Sequence, residues 1–323
     1  MILYFLFIIL FVLLFHFFNK TYIERFIQLN SNNIIWSKGP IRNDYSNKST
    51  ETASSNTEII KLIESIKKEN NILFIRNGSD IKVNDLVLFT ENINLLKIPI
   101  ILITSDGDRN MPGSHELNII NKVLESNMIV KWYTQNYDGT IKHEKLKHYP
   151  IGISFHYAPL LINNNINETI NFLINKRINS DNTKRISDKI LNDTHNSISH
   201  PERKQLYDII KNNKNIEFAN KLSFTEITEL YNNYNFVLSP RGNGLDCHRT
   251  WELFLAGVIV ITKSSSLDEM YINNNLPVVI LNDWNELNNN LENKLQQWYK
   301  DHINKTSIDN IFERLTFNYW LKT

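Results

Sequence analysis

The chain has 323 residues, with 35 Lys plus Arg against 34 Asp plus Glu, so its formal charge is only +1. That balance argues against a protein that grips nucleic acid through a general excess of positive charge. Hydrophobic residues at 42%, with 13 Tyr, 17 Phe and 6 Trp, exclude disorder, and the one cysteine, Cys247, excludes an intrachain disulfide and a cysteine-only metal site.

Met1 to Phe18 reads MILYFLFIILFVLLFHFF, with His16 its one strongly polar side chain. As a helix it would span about 27 Å, close to the ~30 Å hydrocarbon core of a bilayer, and no small-residue cleavage site follows. It is expected to be a membrane anchor; a buried first helix is the alternative. Lys20, Glu24 and Arg25 all follow the span, so charge alone does not favour a body outside the cytoplasm. Sequons stand at Asn47, Asn77, Asn167, Asn192 and Asn304, but a chain with 48 Asn produces them by chance. Residues 19–57 read as a tether.

From residue 58 apolar runs alternate with helical patterns, the mark of an α/β fold with parallel strands. Glu58 to Lys68 reads as a helix, Asn71 to Arg76 and Leu86 to Phe89 as strands, and Ile98 to Thr104 as a strong strand. A Gly/Asp/Pro loop, a helix near Glu116 to Ser126 and a short strand or turn at Met128 to Tyr133 follow. Pro150 to Ile153 is a further strand candidate. The second half repeats the rhythm: strand Arg185 to Leu191, helix Pro201 to Lys211, strand Asn215 to Phe218, and a helix from Phe224 opened by the capping box Ser223 to Glu226. Strand Asn235 to Ser239, helix Asp246 to Ala256, strands Val258 to Ile261 and Pro277 to Leu281, and a helix from Glu286 to Lys300 complete it. The expected organisation is two α/β units, 58–180 and 181–305, joined near Ile174 to Thr183. A carboxyl-terminal helix in 306–323 would pack back on the first unit. One continuous doubly wound domain is the alternative.

Phe236 to Ile261, FVLSPRGNGLDCHRTWELFLAGVIVI, is the most informative stretch. A strand ends at Ser239, a Pro-Arg-Gly-Asn-Gly loop follows, and a helix begins near Asp246. Ligands of open α/β sheets bind beyond the carboxyl ends of strands, and glycines there permit close approach. Loop amides of Gly242, Asn243 and Gly244 with Arg241 and Arg249 suit phosphate, and Glu252, three residues after Arg249, suits ribose hydroxyls. A surface ion pair between Arg249 and Glu252 is the bland alternative. Cys247 and His248 are neighbours on a helix and point about 100° apart, which poorly suits a thiol protease; a core cysteine fits better.

Ser239-Pro240-Arg241-Gly242, Asp246 to Glu252 and Ala256 to Val260 resemble the carboxyl-terminal half of exostosin-like glycosyltransferases, particularly the small type of protists and large DNA viruses. Further matches run through Ser264 to Asp268, Leu276 to Val279 and Asn282-Asp283-Trp284. His200-Pro201-Glu202-Arg203 resembles the family's helix start near donor phosphate. The resemblance implies a GT-B-like fold, with two facing Rossmann-like domains and an N-terminal transmembrane helix. The first domain would be on the acceptor side and the second would bind the nucleotide sugar. It implies glycosyl transfer from a UDP- or GDP-sugar to a glycan or glycoprotein, inverting, without metal, cofactor or nucleic acid. The setting would be a type II membrane protein facing the ER or Golgi lumen. On this reading Glu252 binds ribose, Arg249 with Arg241 or Arg203 neutralises the diphosphate, and Ser265 and Ser266 contact phosphate or sugar. Asp106, Asp108 and His156 are the base candidates. Asp106-Gly107-Asp108 also resembles the metal-binding Asp-x-Asp of another glycosyltransferase fold. Trp132 and Asn136 would face an acceptor sugar, with a core position for Trp132 the alternative. A nucleotide-sugar hydrolase or epimerase, or an inactive glycan-binding protein on the same fold, are the competing readings.

Overall fold

The computed structural model describes residues 29–36, 51–155, 160–194 and 199–322. Strands β1 (Ile72–Arg76), β2 (Ile100–Ser105), β3 (Ile129–Thr134) and β4 (Leu146–His148) form one parallel sheet in that order. A second parallel sheet holds β5 (Ile186–Asn192), β6 (Ile216–Phe218), β7 (Tyr234–Leu238), β8 (Ile259–Lys263) and β9 (Val278–Leu281), in the order β6-β5-β7-β8-β9. The helices, in chain order, are α1 (Asn56–Glu64), α2 (Asp85–Glu91), α3 (Leu117–Glu125), α4 (Ile166–Ile178), α5 (Pro201–Ile210) and α6 (Phe224–Tyr231). They continue with α7 (His248–Leu255), α8 (Asp268–Asn273), α9 (Leu291–His302), α10 (Ile308–Arg314) and α11 (Phe317–Lys322).

The α/β expectation holds, and the two sheets differ in how they are covered. Strands added in the order one to four by right-handed crossovers put all their helices on one face. Leu73, Ile75, Leu102 and Trp132 meet those helices, in one core with Ile59, Phe89 and Ile120. The opposite face, with Phe74, Ile103 and Tyr133, needs another cover because a parallel sheet is apolar on both sides. Segment 29–36 and the carboxyl-terminal helices supply it, and the same core continues into Val237 and Val260 of the second sheet and Trp251 of α7. The two units therefore share a core.

Several elements differ from expectation. Leu86 to Phe89 lies in α2, where Leu86 and Phe89, three apart, face the buried side. The chain leaves the first sheet after His148, and α4 already packs on the second unit, Phe172 against Phe224 at 6.2 Å. The crossover thus lies ahead of Ile174 to Thr183. The carboxyl-terminal stretch breaks into α10 and α11 because the backbone between them bonds elsewhere. Ile35 N donates to Leu315 O at 2.8 Å and Phe317 N to Asn33 O at 2.7 Å. The described part of the expected tether is thus structural, with Ile34 and Ile35 wholly buried. Pro150 to Ile153 is extended but joins neither sheet; Ile153 N donates to Ile35 O at 3.1 Å. Residues 1–18 lie outside the described residues, among which no helix is long and apolar enough to cross a membrane. Of the sequons, Asn77 and Asn192 are buried.

Candidate functional site

In the second sheet β6 and β7 flank β5, so the connections from β5 and β7 leave toward opposite faces and open a crevice at their carboxyl ends. Asp193 follows β5 there, and Ser239 follows β7, its Oγ 2.9 Å from Thr250 Oγ1. The loop after Ser239 crosses to the first unit. A Cβ on Gly244 would lie 2.8 Å from Asn136 Nδ2, so only glycine permits this approach. Helix α7 starts after Cys247, two residues later than expected, because Asp246 is used otherwise. Its carboxylate accepts from Ile151 N (2.7 Å), Cys247 N (2.9 Å) and Trp251 Nε1 (2.9 Å), fixing the link between the units to the helix start. Burial pushes Asp246 up to about 6, against those hydrogen bonds.

A cavity of about 380 Å³ lies at this crevice, with Arg249, Glu252, Asp193, Arg203 and Tyr231 in its wall. Arg249 Nε is 3.2 Å from Asp193 Oδ2, and the Tyr231 hydroxyl donates to the same oxygen at 2.6 Å. The guanidinium is thus held at its Nε side, while Nη1 is buried with no hydrogen-bond partner among the described residues. Burial alone would lower Arg249, but Asp193, with Tyr231, Cys247 and Glu252, raises it above its ordinary value. Glu252 Oε1 accepts from Ser154 N at 3.3 Å. Burial pushes this carboxyl up to about 7, while the Ser154 amide and Arg249 act to lower it. Arg203 reaches in from α5, its Nε donating to Arg241 O at 3.0 Å; burial lowers it.

A smaller cavity of about 260 Å³ lies between the carboxyl edges of the two sheets, lined by Asp106, Asp108, Gly242, Asn243 and Gly244. Asp106 takes a left-handed φ of 61° at the end of β2, and Asn243 Nδ2 donates to Asp108 Oδ2 at 3.4 Å. Cys247 and His248 line both cavities. Burial pushes the Cys247 thiol up, which fits the core reading rather than a nucleophile. His248 Nδ1 lies 2.8 Å from Gly152 O.

The structure brings Arg249, Glu252 and Arg203 to one cavity, and Asp106, Asp108, Gly242, Asn243 and Gly244 to the adjoining one. Arg241 lines neither; its Nη2 folds back onto Asn243 O at 3.0 Å. Ser265 and Ser266 form a turn, Ser266 Oγ donating to Tyr137 O at 2.6 Å, and they border a separate groove with His148 and Glu269. They are not gathered with Arg249. Trp132 is wholly buried in the first core and donates to Thr104 Oγ1 at 2.9 Å, so it offers no face to a sugar. Asn136, also wholly buried, bridges the units through Gly107 O (2.9 Å) and Asp246 N (2.8 Å). His156 lies outside the described residues. Among the described residues no group of three or more His, Cys, Asp or Glu could hold a metal ion.

Sequence reasoning passed over Asp193, Tyr231 and Ser154. The position of Asp193 just beyond an apolar run was a usable signal, since that is where a strand's carboxyl end lies. Nothing local marks Tyr231 or Ser154.

No family model matches the chain, and no curated protein does. Among solved structures it is similar to a glycosyltransferase from Rickettsia africae, at 17% identity over 91% of this chain and 81% of that one, with a TM-score of 0.41. It is also similar to a sucrose-phosphate synthase from Thermosynechococcus elongatus, at 10% identity over 83% and 76%, with a TM-score of 0.41. A UDP-GlcNAc 2-epimerase from Methanocaldococcus jannaschii is similar at 14% identity over 84% and 80%, with a TM-score of 0.33. Likeness at this level carries no activity or substrate over to this chain.

Proposed function

We propose that the protein is a glycosyltransferase that moves a sugar from a nucleoside-diphosphate sugar to a hydroxyl of a glycan or glycoprotein. One observation carries the reading: Arg249, Arg203 and Glu252 converge on a single cavity at the reversal point of the second sheet. A diphosphate takes the arginine forks, and Glu252 takes ribose hydroxyls. Negative charge grows on the phosphate oxygen as the sugar leaves, and a prearranged donor aimed at it is worth roughly 3–4 kcal/mol. The arginines supply that charge, so the reaction is proposed to need no metal. The acceptor enters from the first unit, on the side of Asp106 and Asp108. The resemblance to exostosin-like transferases supports an inverting outcome and a body in a secretory lumen, and the apolar amino end supports a single anchor.

Thermal unfolding of the full chain in UDP, GDP and their sugar conjugates tests this. A ligand at 100 times its Kd adds about 2.7 kcal/mol to the folded state. We expect a rise in melting temperature with one nucleotide series, and a tenfold or greater loss of that affinity in Glu252→Ala. A chain indifferent to all nucleotides that still binds glycans would instead be a glycan-binding protein.

A further inference from the structure

We propose that His248 is the catalytic base, the group that takes the proton of the acceptor hydroxyl. The inference rests on the glycosyltransferase reading and goes beyond it.

The reacting carbon carries the diphosphate on one side and meets the acceptor on the other, so on this reading it lies where the nucleotide cavity borders the inter-unit cavity. Only Cys247 and His248 line both among the described residues. The thiol is pushed up by burial and is the poorer proton acceptor of the two. His248 also has its tautomer set by its surroundings. Gly152 O lies 2.8 Å from Nδ1, and a carbonyl only accepts, so Nδ1 carries the hydrogen and Nε2 carries the lone pair in the neutral ring. Gly152 belongs to the extended link whose Ile151 N and Ser154 N hold Asp246 and Glu252, so the ring shares the framework that fixes the rest of the site. Asp106 and Asp108, the carboxylates of the first unit, border the inter-unit cavity alone.

In the step, the acceptor oxygen forms a bond to the anomeric carbon as the bond from that carbon to the phosphate oxygen breaks. The bonding pair leaves with the nucleoside diphosphate, which Arg249 faces. The hydroxyl proton passes to His248 Nε2, and the resulting imidazolium releases it to solvent before the next turnover. Charged and titratable groups that line the two cavities with the ring are Asp246, Cys247, Arg249 and Glu252 on its own segment, Asp193 after β5, Arg203 from α5, Lys176 and Arg177 from α4, Tyr231 from α6, and Asp106 and Asp108 from the first unit.

Two substitutions separate base from scaffold. His248→Asn keeps an N–H where Nδ1 donates to Gly152 O but removes Nε2. His248→Gln keeps a polar group near Nε2 that is not basic. Both are compared with the wild type by nucleoside-diphosphate release from a panel of UDP- and GDP-sugars with glycan acceptors, by UDP and GDP affinity, and by thermal melting. We expect both variants to melt near the wild type and to bind the nucleotide within about threefold, while kcat falls about 100-fold or more. The acid-side decline of kcat at saturating nucleotide sugar should weaken in both, while the part of kcat/KM that follows protonation of Glu252 stays. Turnover of His248→Asn within about threefold of the wild type, with the same pH profile, would mean that the ring only holds the link and would overturn the base assignment alone. A wild type that neither binds nor turns over any nucleotide sugar would overturn the transferase reading itself.

Discussion

At the scale of single residues the site depends on how Asp193 holds Arg249. A lysine at 249 would keep the charge but lose the planar fork, and with it the division into an edge for Asp193 and the edge proposed for phosphate. Arg249→Lys is therefore expected to lower kcat at least tenfold, measured with whichever nucleotide sugar the wild type turns over; an unchanged rate would remove the diphosphate role. Glu252 gives a second prediction through its raised carboxyl. Its ordinary value is 4.5 and its folded value is about 7. Between these the folded chain keeps a proton that the unfolded chain has lost, so this residue's contribution to stability falls as pH rises through that window. Glu252→Gln removes the penalty, and its melting temperature should gain on the wild type from pH 5 to pH 8. A difference that does not change with pH would show that Glu252 is not desolvated.

At the scale of elements, the extended link Ile151 to Ser154 holds more than its length implies. Its backbone grips Asp246, His248 and Glu252 on one side and Ile35 on the other. Gly152 makes this possible with a φ of 70°, and a Cβ there would lie 2.2 Å from Ile35 O. Gly152→Ala should cost at least about 1–2 kcal/mol from its backbone conformation, with the contact adding to that. Chemical denaturation would measure the loss, and nucleotide affinity should fall with it. Much at this scale could be read from the sequence. The capping box at Ser223, the first-turn proline of α5 and the apolar strands each follow from local chemistry. Leu86 to Phe89 misled because four apolar residues suit a strand or a helix equally. Pro150 to Ile153 misled for another reason: an extended segment looks the same whether it pairs in a sheet or bridges two units. The site shows a similar division. Arg249 and Glu252 share a helix face that spacing reveals, whereas Tyr231 and Ser154 reach the cavity through tertiary packing alone.

At the scale of the whole molecule, segment 29–36 belongs to the folded body. Leu29, Ile34 and Ile35 are buried against both units. Burying one such side chain fully contributes about 1.5–3 kcal/mol, so the three together compare with the net stability of a domain, about 5–15 kcal/mol. A chain beginning at residue 51 should therefore be poorly soluble or only partly folded, while one beginning at residue 29 keeps these contacts. Limited proteolysis and melting of the two would decide it. Sequence composition did not show this, because a polar stretch with a few isoleucines looks like a tether until its partners, Leu315 to Phe317, are known.

The common core also restricts movement. Two lobes joined by one flexible crossing can swing apart to exchange ligands, but here the amino-terminal segment, the crossing after His148 and the carboxyl-terminal helices all fasten one sheet to the other. Gaping would expose apolar side chains from both, so on the proposed reading a nucleotide sugar would enter and leave through rearrangement of surface loops about a stiff frame. Amide exchange should find Val237 and Ile103 opening only with global unfolding, with or without added nucleotide.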